Sequence, residues 1–260
     1  MRTITFKGLF LTAVFMLLGS LAIQAADDDL ITKQITIKLD EAGTLPNKIA
    51  SSKKYLITNL KIVGEINGTD WYMIREMAVR NHWGVFTKGN LSVLDLSEAK
   101  IVEGGHDYYC SDYGSPKFTS NDVIGDCAFY GCSGLTSINL PASITKIEYG
   151  AFEGCSGLTS IYVYAEKVPE MDSYVFEKCD AKKCTLYVPK GTYDDYWISE
   201  FGYFENIVEF DPTGIDKTTT STDVKEVARY SVNGQLLVAP TNGLNIVKYS
   251  DGSVKKVAVQ

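Results

Sequence analysis

The chain has 260 residues, 45% of them hydrophobic and 22% charged, which is globular material with room for one or two domains. Acidic side chains outnumber basic ones 32 to 25, giving a net charge of −7, and no basic cluster occurs. That balance argues against nucleic acid or an anionic membrane surface as a partner.

Residues 1–25 carry Arg2 and Lys7, then the apolar run Leu9–Leu18, then Ile23-Gln24-Ala25 before Ala26. This order reads as a secretory signal peptide with a small-residue cleavage site. The run is too short for a permanent anchor, and no Cys stands at the cleavage site for a lipid. Cleavage would take the net charge from −7 to −9. No later segment is apolar enough to span a bilayer, so no transmembrane segment is expected after cleavage. Asp27-Asp28-Asp29 reads as a solvated terminus, since nothing nearby supplies the spacing of a calcium loop.

Ile35, Ile37 and Leu39 alternate with polar residues, as in a half-buried strand, and Leu60-Lys61-Ile62 reads as a second. The chain then passes through Gly64 and Asn67-Gly68. Thr69 or Asp70 is expected to cap a helix running to about Arg80, with Trp71, Ile74, Met77 and Ala78 on one face. Leu91 to Ser97 repeats an L-x2-L-x-L strand phrase. Residues 26–100 are therefore expected to form an N-terminal cap with the first, oversized repeats, because the first coil of a solenoid must be covered. Residues 103–122 interrupt the pattern with Gly, Tyr, Ser and Asp and read as an insertion loop. Its Tyr108, Tyr109 and Tyr113 either are exposed contact residues or pack back on the repeats.

The next stretch says nearly the same thing twice. Residues 124–146 read IGDCAFYGCSGLTSINLPASITK and residues 147–169 read IEYGAFEGCSGLTSIYVYAEKVP, identical at 12 of 23 positions. A period in this range marks a solenoid whose units cannot bury an apolar face alone and must stack. Within a unit, Ile138 and Leu140 alternate with Asn139 as in a short strand. Pro141, which cannot donate a ladder hydrogen bond, suits that strand's end. The form AFxGCxxLTxIxLPxxxxxI at Ala128–Ile147 resembles the BspA-type subclass of leucine-rich repeats, and the INGTD and LDLSEA phrases upstream resemble secreted proteins of that kind. The resemblance implies a repeat solenoid, α/β with a β-rich strand face. It also implies a secreted or outer-surface protein of a Gram-negative bacterium, with adhesion to host matrix or to other bacteria as the expected role.

Phe176 and Cys179 continue the pattern after a one-residue insertion, and Leu186 to Pro189 supply another strand. Residues 101–211 are thus expected to hold the repeats, with the aromatics between Gly191 and Phe210 covering the last coil as a C-terminal cap. Residues 212–223 read as a linker. Residues 224–260 read as a small all-β module, with hairpin turns at Asn233-Gly234 and Asp251-Gly252. The phrase YSVNGQLL…GLNIVKYSDGSVKKVAVQ resembles the C-terminal sorting domain of the type IX secretion route.

Catalytic chemistry is thin. The two histidines, His82 and His106, form no H-x3-H pair, and neither a G-x-S-x-G nor a P-loop occurs. His106 with Cys110 lacks a second pair at zinc spacing, and nothing marks two carboxylates as a glycosidase pair. No catalytic residue, metal site or cofactor is expected. Of the six cysteines, Cys132, Cys155 and Cys179 hold one repeat position and read as buried thiols, whereas Cys110 and Cys127 lie outside that ladder and are the candidate disulfide. The middle residue of each strand phrase should point away from the core, lining up Lys61, Asp95, Asn139, Tyr162 and Tyr187 about 4.8 Å apart, with Tyr164 one step along. This row is the candidate face for a protein or glycan partner. The competing reading is a structural spacer without a ligand, whose tyrosines merely fit the strand preference for aromatics.

Overall fold

A computed structural model describes residues 29–110, 114–212, 226–231, 235–249 and 254–259. The expected signal peptide, Tyr113, the linker beyond Pro212 and the turns Asn233-Gly234 and Asp251-Gly252 lie outside the described residues.

The chain begins with β1 (Ile35–Lys38), the short helix α1 (Leu45–Lys48) and β2 (Asn59–Ile66). Helix α2 (Gly68–Met77) follows, then β3 (Val93–Ile101). The cap of α2 is Asn67 rather than Thr69 or Asp70. Asn67 Oδ1 accepts from the Thr69 N–H, and Asp70 reaches back to accept from the Asn67 N–H at 3.0 Å. Asp70 is thus the third residue of a capping box, not its start. The helix stops three residues before Arg80 because Val79 takes φ 84°, a left-handed conformation that no helix continues.

The insertion forms the hairpin β4 (Gly104–Tyr109) and β5 (Lys117–Thr119) and packs back against α2. Tyr108 is buried beside Trp71 and its hydroxyl donates to the Asp126 carbonyl at 2.9 Å. Tyr109 lies half-buried over the Arg75 guanidinium, 4.7 Å from ring centre to Cζ. Of the two readings of this segment, packing is the one observed for these tyrosines.

The coils then alternate between two parallel sheets. Strands β6 (Val123–Ile124), β8 (Lys146–Ile147) and β10 (Glu170–Met171) form a three-stranded sheet in the order β10-β8-β6. Strands β7 (Ser137–Leu140), β9 (Ser160–Val163), β11 (Thr185–Pro189) and β12 (Asn206–Phe210) join the first three in a seven-stranded sheet, β1-β2-β3-β7-β9-β11-β12. Helix α3 (Tyr193–Trp197) and a 3-10 turn at Glu200–Tyr203 lie between β11 and β12. Tyr196, Phe201 and Phe204 are buried after β11, and residues 206–210 add a further parallel strand beside it.

Between the sheets, repeated residues stack into columns. Phe129, Phe152 and Phe176 lie ring on ring at 5.2 and 5.4 Å. Cys132, Cys155 and Cys179 are buried beside them. A hydroxyl column runs through Thr58, Ser92, Thr136 and Thr159: each amide and each later hydroxyl donates to the carbonyl of the coil before, Thr136 Oγ1 to Ser92 O at 2.9 Å and Thr159 Oγ1 to Thr136 O at 3.1 Å. Gly157 is required by this spacing, since a Cβ there would stand 2.3 Å from the Ser133 carbonyl oxygen. One left-handed turn recurs in each coil, at Cys127 (φ 55°), Gly150 (φ 59°) and Tyr174 (φ 61°).

No disulfide joins Cys110 and Cys127. Cys110 Sγ lies 3.6 Å from the Gly114 carbonyl, while Cys127 Sγ faces Gly150 of the next coil, so the two side chains point into different surroundings. The C-terminal strands β13 (Glu226–Ser231), β14 (Leu236–Leu237), β15 (Gly243–Tyr249) and β16 (Val254–Val259) form a separate antiparallel sheet, β14-β13-β15-β16.

Candidate functional site: the strand face

The register of the seven-stranded sheet brings the expected residues into one row. Lys61 pairs with Asp95, Asp95 with Asn139, Asn139 with Tyr162 and Tyr162 with Tyr187. The row extends further at both ends, to Thr36 beside Lys61 and Val208 beside Tyr187. Tyr164 lies just past the end of β9, and its ring shares with Tyr162 a contact with Phe210.

The charged end of the row is satisfied internally. Asp95 is only 8% exposed, although the pattern reads it as outward-facing. The reason is a bulge: β3 carries an extra residue between the pairs Lys61–Asp95 and Val63–Glu98, and Asp95 Oδ1 holds it by accepting from Ser97 N at 2.9 Å and Ser97 Oγ at 2.6 Å. Lys61 Nζ lies 3.5 Å from Asp95 and 2.6 Å from Glu98. Burial alone would raise the Asp95 carboxyl, but the Ser97 hydrogen bonds, Lys61 and Asn139 together hold it below the usual carboxylate range. Its hydrogen bond to Glu98 raises the Lys61 ammonium against the opposing effect of burial. These groups fix the shape of the strand, and Asp95 offers little to a ligand.

The aromatic end is built differently from a flat platform. Tyr162 and Tyr187 stand face to face, 4.2 Å apart and 6° from parallel, so each covers a face of the other. Phe210 meets Tyr162 edge-on at 5.5 Å and Tyr164 edge-on at 5.0 Å. Burial in this cluster raises the phenols of Tyr162 and Tyr164 above the ordinary value. What reaches solvent is therefore mainly ring edges and hydroxyls. Phe210 and Val208 complete the patch, although the sequence assigns them to the cap rather than to the strand-face row. The alternation Ile207-Val208-Glu209-Phe210 is the signal that could have placed them, had it been read as a strand in its own right.

Residues 108–221 match the family model described as BspA type Leucine rich repeat region (6 copies). This region is similar to leucine-rich repeats of the BspA type. The parallel sheets and stacked columns fit a repeat fold, and the matched span runs from the end of β4 past β12. None of the curated proteins matches the chain. Among the described residues no helix is long and apolar enough to cross a membrane, and no group of three or more His, Cys, Asp or Glu is placed to hold a metal ion.

Proposed function

We propose that the protein is an exported, surface-held recognition module, delivered to the outside of a Gram-negative cell, that binds a protein partner through the aromatic end of the strand face. The repeat region supports a surface role in protein interaction, and such repeats are typically non-enzymatic. The observation that carries the choice of patch is the interlocked set Tyr162, Tyr164, Tyr187 and Phe210, a rigid half-exposed aromatic group on a hydrogen-bonded sheet. Rigid tyrosines suit protein anchoring because little side-chain entropy is lost when they are covered. A glycan is the weaker fit, because sugar stacking needs open ring faces and Tyr162 and Tyr187 cover each other's.

The test begins with a panel of matrix proteins, bacterial surface proteins and glycans probed with the protein. Replacing Tyr162, Tyr164 and Tyr187 together by Ser should lower affinity for the captured protein by at least about a hundredfold. The same variant should keep its parallel-sheet circular dichroism, since these side chains lie outside the buried core. Affinity that survives the triple change moves the site off this face.

A further inference from the structure

A second surface feature lies away from the strand face, along the turn that follows β10. It is a cleft in two adjoining lobes of about 260 and 490 Å³ that share Met171, Asp172, Ser173 and Glu200. One lobe runs on to Tyr174, Glu177 and Tyr203, the other to Tyr149. Tyr149 and Tyr174 are 48% and 58% exposed, with ring centres 5.6 Å apart and planes 63° from parallel. Both rings are thus substantially exposed, one at each lobe, unlike the mutually covered pair on the strand face.

The cleft has a sign. Asp172 is held by Lys146 at 2.9 Å, but among the described residues no basic side chain comes within ion-pair distance of Glu177 or Glu200. No Lys or Arg lines either lobe. Exposed aromatic rings and carboxylates without an ion-pair partner attract the same kind of group, a cation. Tyr174 adds a separate observation. It occupies the left-handed turn position at φ 61° that Gly150 fills without strain one coil earlier, so an exposed ring stands where glycine would suit the backbone better.

We propose that this cleft binds an arginine side chain presented by a protein partner, its guanidinium against the Tyr174 ring and paired with Glu177 and Glu200, which line the same lobe. Arginine suits the cleft better than lysine because the planar guanidinium stacks on rings and pairs with carboxylates at once. The site is independent of the strand-face reading and can stand or fall without it.

The experiment titrates the purified protein with the fluorescent pentapeptide Gly-Arg-Gly-Arg-Gly and with its counterpart carrying neutral citrulline for arginine. The arginine peptide should bind at least about tenfold more tightly, with affinity falling as salt rises. Tyr174→Gly removes the ring while relaxing the backbone, so it should lose about tenfold in affinity with a melting temperature that is unchanged or higher. Glu200→Gln, on the exposed 3-10 turn, should weaken binding severalfold and flatten the salt dependence, which gives a second readout if Tyr174→Gly perturbs folding. The Tyr162, Tyr164 and Tyr187 triple variant should bind the peptide as the parent does. Equal binding of the citrulline peptide, full affinity in both Tyr174→Gly and Glu200→Gln, or loss of binding in the strand-face variant would each overturn the proposal.

Discussion

Asp95 shows how a residue's neighbours decide its task. On an outward strand position it would be a solvated charge, but the bulge in β3 turns its carboxylate onto Ser97 and beneath Lys61. Its folded-state pKa is lowered, so its contribution to stability is fully present above the ordinary carboxylate pKa of about 4 and is lost as pH falls through the depressed value. Asp95→Asn should therefore cost about 1–2 kcal/mol at neutral pH. The difference in melting temperature between parent and variant should shrink on acidification below about pH 4. A gap that is constant from pH 7 to pH 3 would contradict this. The stacked cysteines behave as donors for a related reason. Burial pushes the Cys132 thiol up to about 11 and the Cys179 thiol up to about 12, so they remain protonated. Cys155 Sγ accordingly donates to the Phe129 carbonyl at 3.1 Å, and Cys179 Sγ to Phe152 at 3.3 Å.

Among the elements, α2 is the one that ties the N-terminal strands to the repeats, and it does so through Arg75. This side chain is fully buried, yet its partners are carbonyls: Cys127 O and Ala128 O at 2.7 Å each, with Asn81 O at 3.4 Å. Trp71 Nε1 adds a bond to the same Ala128 carbonyl. Arg75→Ala should cost about 3 kcal/mol or more, because one buried and one part-buried carbonyl lose a charged donor. Arg75→Lys should recover only part, since one ammonium cannot reproduce the guanidinium's planar fork. Thermal melts of the two variants check the ranking, and equal stability of Arg75→Lys and the parent would reject the docking role. The stacked columns were legible in the sequence because residues repeated at a 23-residue spacing can be buried only by lying over one another. Arg75 was not legible, since its acceptors are backbone groups fifty residues away and carry no side-chain mark. The strand-face row was legible in its membership but not in its geometry. Ring orientation depends on Phe210, which belongs to a strand that resembled a cap of loose aromatics.

At the level of the whole molecule, the main core closes within residues 29–212. Its buried apolar cluster runs from Leu39 to Phe204, with Ile207 packed against it. The C-terminal sheet keeps its own buried residues, Arg229, Asn245 and Val247, and among the described residues shares no strand pairing with the seven-stranded sheet. Arg229 is engaged by Glu226 at 2.7 Å and by Asn245 at 3.1 Å, both within that sheet. In a solenoid, stability comes from each coil and its immediate neighbours, so a unit that pairs with no coil adds little to the array. Deleting residues 224–260 should then leave the melting temperature of the remainder within about 2 °C of the parent. If the tail is the sorting signal that its sequence resembles, the same deletion should abolish surface delivery and leave folded protein in the periplasm. Cell fractionation combined with limited proteolysis reads both effects together. Unchanged surface delivery would remove the tail from the export route, and an unfolded truncation would show that the module supports the repeats after all.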